Sequence, residues 1–143
     1  NRVKEGLRVC EEITRFILDH HKFTALFKLY RHEIDDIVKD IYPVALPNGR
    51  QTMSFCPTYK LLKERRSDSD VGRKNSSLEF KRAGCKDIFW ANIQRVKESL
   101  RVLEEFSKLE NKKAALRFKQ LRYKIYEIEK KSFKKISALP DSG

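Results

Sequence analysis

Val3, Leu7, Cys10 and Ile17 recur at spacings of three, four and seven with charged residues between them, and Val96, Leu100, Leu103 and Phe106 repeat the arrangement near the far end. Apolar positions at that period fall on one face of a helix, so both stretches are predicted to be amphipathic helices. A polar break at Asp19 to Thr24, with Asp19 or Thr24 as the cap of the next helix, ends the first; Glu110-Asn111-Lys112-Lys113 does the same for the second. Helices joined so tightly run antiparallel, which predicts one hairpin over residues 1–42 and another over 86–136. Neither hairpin can bury its apolar face alone. The expected fold is therefore all-α, a pseudo-two-fold four-helix bundle made from two helical hairpins in a single domain. Between them, in residues 43–85, Pro43, Pro47-Asn48-Gly49, Ser67 to Gly72 and Asn75-Ser76-Ser77 interrupt the pattern, and Pro57 to Arg66 is predicted to form a short helix with proline in its first turn. A connection of this length is unusual in a compact bundle, and ligand-binding loops are expected in it. Residues 137–143 form a tail.

The two hairpins are copies of one another. Arg2-Val-Lys-Glu-Gly-Leu-Arg-Val-Cys-Glu-Glu12 returns as Arg95-Val-Lys-Glu-Ser-Leu-Arg-Val-Leu-Glu-Glu105, with nine of eleven residues identical and an offset of 93. Phe27-Lys-Leu-Tyr-Arg-His-Glu-Ile34 matches Phe118-Lys-Gln-Leu-Arg-Tyr-Lys-Ile125 at an offset of 91. The repeating unit is a pair of segments, one from each helix of a hairpin.

Composition narrows the chemistry. The charged share is 36%, against about 25% in a typical globular chain, and 32 Lys and Arg oppose 20 Asp and Glu for a net +12 over 143 residues. An excess of that size points to anionic partners. Five Gly and four Pro leave little material for the turns of an all-β fold. No apolar run approaches the ~20 residues of a membrane span and the opening residues are not signal-like, so a cytoplasmic protein is expected. The first block opens at Asn1 with no initiator Met, whereas Ala91-Asn92 precedes the second, so further residues are expected upstream. Cys10, Cys56 and Cys85 form no CxxC pair and read as buried thiols rather than zinc or disulfide ligands. His20, His21 and His32 have no metal-binding spacing. The absence of GxxxxGK[ST], GxGxxG and GxSxG disfavours phosphate-binding-loop NTPases, Rossmann enzymes and α/β hydrolases.

At 100° per residue Glu5, Arg8, Glu12 and Arg15 share one strip of the first helix, and Glu98, Arg101, Glu105 and Lys108 share the same strip of the third. An exposed face laced by i,i+3 and i,i+4 pairs explains such a strip, each pair being worth about 0.2–0.5 kcal/mol. Its retention in both copies favours a site, since Arg suits bidentate contact with phosphate as Lys does not. Arg31 and Arg122, the paired arginines of the second and fourth helices, add to the positive charge. Arginines meeting a few carboxylates are what two phosphorylated ligands and a bound Mg2+ require.

The pattern carried by Asn1 to Glu12, Lys28 to His32, Asp70-Val71-Gly72, Asn92 to Glu105 and Phe118 to Tyr123 resembles a small all-helical family of hydroxymethylpyrimidine phosphate kinases. Its members stand alone or are fused to thiamin phosphate synthase. The resemblance implies ATP-dependent conversion of the pyrimidine monophosphate to the diphosphate with Mg2+ in thiamin biosynthesis. It makes Arg8, Arg101, Glu12 and Glu105 candidate catalytic residues. Arg2, Arg15, Arg31, Arg95, Lys108, Arg122 and Asn92 become candidate ligands of substrate and ATP phosphates, and Glu5, Glu98 and Asp70 candidate metal ligands. The implied partners are the pyrimidine monophosphate, ATP, thiamin phosphate synthase and a second copy of the chain. A phosphate monoester is largely a dianion at neutral pH, so such a reaction needs charge neutralisation more than a base.

Two other readings stand beside it. One is a non-enzymatic helical module that associates with thiamin phosphate synthase. The other is an anionic-ligand or nucleic-acid binder, suggested by the net charge and by Lys130-Lys131-Ser132-Phe133-Lys134-Lys135, but disfavoured by the lack of any docking motif. Phe89, Trp90, Phe106, Phe118, Tyr123 and Tyr126 read as core. Gly6, where the second copy has Ser99, is expected to allow close packing or ligand approach.

Overall fold

The computed structural model describes residues 1–41 and 84–140. The described chain is helical throughout: α1 (Arg2–Glu12) running into a π-helical turn (Ile13–Ile17), α2 (His21–Ile41), α3 (Cys85–Glu110) and α4 (Lys112–Ser137). The expected all-α bundle of two hairpins is what forms. The expectations for Pro43 to Ala83, including the short helix from Pro57 and the ligand-binding loops, lie outside the described residues.

Each connection has its own chemistry. The π-helical turn closes with the Leu18 N–H donating to Ile13 O at 3.0 Å, and the His20 N–H reaches back to Thr14 O at 2.8 Å. Asp19 takes a left-handed conformation, φ 46°, which Asp tolerates better than most side chains. The cap of α2 is neither Asp19 nor Thr24: His20 Nδ1 accepts the Phe23 N–H at 3.3 Å, while Thr24 lies inside the first turn, its hydroxyl 3.1 Å from His20 O. In the second hairpin Asn111 alone makes the turn, its side chain accepting the Ala114 N–H at 3.0 Å. Ile17 and Glu110 are equivalent positions, so the two-residue difference between the repeat offsets is confined to Leu18 to His20 against Asn111.

α1 packs on α2 and α3, and α4 packs on α3 and α2. Gly6 marks the crossing of α1 and α3: a Cβ there would stand 2.7 Å from Val96 Cγ2 and 3.1 Å from Asn92 O, so only glycine admits this approach. One turn on, Cys10 meets the earlier residue Phe89, its Sγ 3.9 Å from Phe89 O, so α1 and α3 run antiparallel. Lys124 of α4 pairs with Glu33 of α2 at 2.8 Å, and Arg117 pairs with Asp40, which sets those helices antiparallel too. Leu7, Phe27, Phe89, Leu100, Phe118 and Ile125 are fully buried at the centre. The core differs from the sequence expectation at the aromatics: Phe106 (69% exposed), Tyr123 and Tyr126 are on the surface, and Trp90 is half-buried. Phe106 lies on the side of α3 opposite Leu100 and Glu104, which its wheel angle alone would have placed there.

Cys10 is buried and Cys85 half-buried; Cys56 lies outside the described residues. Burial, and then the charge of Glu129, push the Cys10 thiol well above its ordinary value. Above about pH 8.5 the unfolded chain ionises this thiol and the native state does not, so stability declines by roughly 1.4 kcal/mol per pH unit from this group. Peptide mapping after alkylation of native protein at pH 8.5 should find Cys85 modified and Cys10 protected until the chain unfolds; early modification of Cys10 would contradict its burial.

Candidate functional site

The doublets Glu11-Glu12 and Glu104-Glu105 divide their labour. Glu11 and Glu104 stand one helical turn beyond Leu7 and Leu100, so they continue the apolar ladder into the core and are 4% and 3% exposed. Each is met by the arginine of its own hairpin. Arg31 Nε donates to Glu11 Oε2 at 3.1 Å, and Arg122 donates through Nε and Nη2 to Glu104 Oε2 at 2.9 and 2.8 Å. The duplication has thus built two buried Glu–Arg clasps, one per hairpin. Arg31 and Arg122, expected as phosphate ligands, fasten the two helices of each hairpin together.

The clasps are not equivalent. Arg122 also donates Nη1 to the Tyr126 hydroxyl at 2.8 Å and lies over the Tyr123 and Tyr126 rings at 5.2 and 5.5 Å. Burial pulls its guanidinium down, but the hydrogen bonds to Tyr126 and Glu104 and the Glu104 charge more than offset this and hold it above its ordinary value. Arg101, beside it, spends both terminal nitrogens on Glu104 at 3.0 Å and Glu105 at 2.7 Å. The Lys108 hydrogen bond, and then the Arg101 charge, hold the Glu105 carboxyl below its usual range.

In the first hairpin the positions of Tyr123 and Tyr126 are taken by His32 and Asp35. Asp35 is short and turns to Lys4 at 2.6 Å, so among the described residues no side chain covers Arg31 as Tyr126 covers Arg122. A hollow of about 580 Å3 opens between α1 and α2, lined by Asn1, Lys4, Glu5, Arg8, Val9 and Arg31. The Nε of each arginine meets a carboxylate, Arg8 with Glu12 at 2.6 Å and Arg31 with Glu11 at 3.1 Å. Among the described residues neither donates a hydrogen bond through a terminal nitrogen, so both guanidinium forks line this shallow, solvent-open hollow, together with the Glu5 carboxylate and with Lys4, which stays paired with Asp35.

The remaining candidates are dispersed. Arg2 and Arg15 are exposed, Arg15 lying over the Phe16 ring at 4.8 Å. Arg95 is exposed and donates to the buried Asn92 side chain at 3.3 Å, whose amide in turn donates to Ile88 O at 2.8 Å. Lys108 is exposed and pairs with Glu105 at 2.8 Å. Arg8 and Arg101 are each 54% exposed and bonded to carboxylates of their own helices, as in a solvated strip. A second, smaller hollow of about 210 Å3 draws on Glu104, Lys108 and Lys119 of α3 and α4. Neither hollow holds residues of both strips. Glu98 accepts from Gln94 at 2.8 Å, Glu5 lies on the rim of the first hollow, and Asp70 lies outside the described residues. Glu5 and Glu98 are on different helices, and no group of three metal-ligating side chains converges among the described residues. No described helix is long and apolar enough to cross a membrane.

Fold and site together define an internally duplicated helical bundle with one of its two arginine clasps bordering a hollow. The chain belongs to the ThiD2 family, which it matches over residues 1–131. Relatives named thiamine-phosphate synthase share this sequence: that of Nostoc punctiforme is 33% identical over 130 residues, and that of Synechocystis sp. 32% over 130, each covering 90% of this chain and 32% of the relative. The protein of that name from Rhodopirellula baltica is 30% identical over 127 residues, 88% of this chain and 30% of the relative. The chain thus spans about a third of the length of the curated relatives it matches. No solved structure matches it.

These relatives correct the activity implied by the resemblance. They are named for thiamine-phosphate synthesis, not for phosphorylation of hydroxymethylpyrimidine phosphate, so the kinase reading is overturned, and the alternative of a helical module associated with the synthase accords better with them. The phosphoryl-transfer roles given to Arg8, Arg101, Glu12 and Glu105 lapse with it. Glu11 and Glu104 escape a reading of the sequence because the charged strip takes in Glu12 and Glu105, and the first acidic residue of each doublet then reads as surface too. The signal available was their i,i+4 spacing from Leu7 and Leu100 together with an arginine repeated in the partner helix.

Proposed function

We propose that the chain is a helical module that works with a thiamine-phosphate synthase in thiamine biosynthesis and holds an anionic, phosphate-bearing ligand in the α1/α2 hollow. The association is supported by the match of nine-tenths of this chain to part of proteins named for that synthase. The ligand class is carried by one observation: the unengaged forks of Arg8 and Arg31 at the same hollow, beside Lys4. A fork presents two parallel N–H groups and matches two oxygens of a phosphate, so the two forks can hold one by hydrogen bonds without displacing the Glu11 and Glu12 contacts at Nε; the binding rests on those hydrogen bonds, because Glu5, Glu11, Glu12 and Asp35 already balance the charges of Arg8, Arg31 and Lys4. The second hairpin offers no such place, because its forks are filled by Glu104, Glu105 and Tyr126.

Isothermal titration with inorganic pyrophosphate as probe tests this. One site per chain is expected. Arg8→Gln and Arg31→Lys should each weaken it about tenfold, equivalent to roughly 1.4 kcal/mol, whereas Arg101→Gln leaves it unchanged. Arg31→Lys keeps a charge beside Glu11 and removes the fork, so a loss reports geometry and not an unpaired buried carboxylate. Equal weakening by Arg101→Gln would contradict the assignment.

A further inference from the structure

Charge is segregated onto one helix. α4 carries ten cationic side chains against two carboxylates, while α1, the π-helical turn, α2 and α3 together carry thirteen against twelve. Arg117, Arg122, Lys124 and Lys131 of α4 have carboxylate partners. Lys112, Lys119 and Lys130 have none among the described residues. These three lysines alternate with Leu116, Tyr123, Tyr126 and Phe133 at strict spacings of four and three, which puts all seven on one outward stripe about 30 Å long. The apolar members are 55%, 56%, 38% and 57% exposed. The inward stripe of the same helix, with Phe118, Leu121, Ile125 and Ile128, is fully engaged in the core. α4 is therefore apolar on two sides, and among the described residues the outward one is covered only at its edges, where Phe133 meets Trp90 at 5.6 Å and Lys97 lies over Tyr126 at 5.9 Å.

We infer that this outward stripe of α4 is a docking surface for an acidic protein segment, and, resting on the proposed function, that the segment belongs to the thiamine-phosphate synthase. Apolar and aromatic anchors set among unpaired charges of one sign are the anatomy of a protein interface: the rings supply buried area and the lysines steer and orient an oppositely charged partner. At its N-terminal end the stripe borders the small hollow lined by Lys108, Lys112, Lys119, Ala115, Leu116 and Glu104; Glu104 is taken up by Arg101 and Arg122 and Lys108 by Glu105, which leaves Lys112 and Lys119 to meet a carboxylate side chain of the partner. Nucleic acid fits less well. Tyr123 and Tyr126 stand edge to face at 5.7 Å and 89°, with Arg122 over both rings, so they offer no parallel platform for stacked bases. A bilayer fits less well still, because lysine interrupts the apolar positions along the stripe and no continuous face is left to insert.

The test is a sedimentation and titration series of the full chain with the thiamine-phosphate synthase of its source organism. The wild-type chain should form a 1:1 complex that weakens between about 50 and 300 mM salt. The triple variant Lys112→Glu, Lys119→Glu, Lys130→Glu should bind at least about tenfold more weakly. Tyr123→Ala with Phe133→Ala should do the same with an unchanged salt slope. Lys22→Glu with Lys28→Glu, on the exposed side of α2, should bind as wild type, and helicity by circular dichroism should be unchanged in every variant. A complex unaffected by the α4 variants overturns the docking surface and leaves the association standing. No complex with wild type at about 100 µM overturns both. Tighter binding of single-stranded RNA or anionic vesicles than of the synthase, lost in the same triple variant, reassigns the stripe and overturns the proposal.

Discussion

Glu104→Ala should destabilise the bundle by about 3–5 kcal/mol, lowering the melting temperature by roughly 10–20 °C, whereas the equivalent change Glu11→Ala should cost only about 1–2 kcal/mol. The two carboxylates are buried alike, at 3% and 4% exposed, so burial does not separate them. What separates them is the fate of the arginine left behind. Arg122 has a side chain 10% exposed, and without Glu104 it keeps only the Tyr126 hydroxyl and two ring faces. A guanidinium there remains an uncompensated charge away from water. Arg31 is 18% exposed and lines the α1/α2 hollow, so without Glu11 its guanidinium has a route to solvent that Arg122 lacks. Thermal unfolding of both variants at pH 7 and low salt checks the difference. Equal losses would mean that the two clasps are equivalent and that the hollow does not open onto Arg31.

Phe89→Ala should cost about 3–5 kcal/mol, and Phe106→Ala, on the same helix, no more than about 0.5 kcal/mol. The Phe89 ring is fully buried, meets Phe27 of α2 edge to face at 5.9 Å and Trp90 at 5.1 Å, and its carbonyl faces the Cys10 thiol. It therefore joins the hairpins where α1, α2 and α3 converge. Phe106 touches little and is 69% exposed. Urea midpoints with the slope unchanged measure both effects. A large loss from Phe106→Ala would show that its face is covered in solution.

Helical period, short polar breaks and the duplication were enough to place both hairpins within two residues at each described end, because they are local properties of the chain. Which side of a charged strip faces inward was not legible. Arg8 and Arg101 sit at the same register in identical contexts, and both lie on the surface. The carboxylates that do enter the core, Glu11 and Glu104, differ from their half-buried neighbours Glu12 and Glu105 by a single residue of phase. Nor did identity between the repeats reveal that they diverge at one decisive pair of positions, where tyrosines on α4 close over Arg122 and His32 and Asp35 on α2 leave Arg31 open. That asymmetry depends on side-chain length across a helix pair, which no pattern along one helix records. The aromatics failed for a related reason, since Phe106, Tyr123 and Tyr126 have the composition of a core but lie on outward stripes.

The most direct measurement is a nuclear magnetic resonance titration of isotopically labelled chain with inorganic pyrophosphate, tracking the arginine side-chain and backbone N–H signals. Saturable shifts confined to Lys4, Arg8, Arg31 and their neighbours, with Arg101 and Arg122 unmoved, are expected from one open clasp and one closed. Shifts centred on Arg101 and Arg122, or distributed evenly over both hairpins, would contradict it.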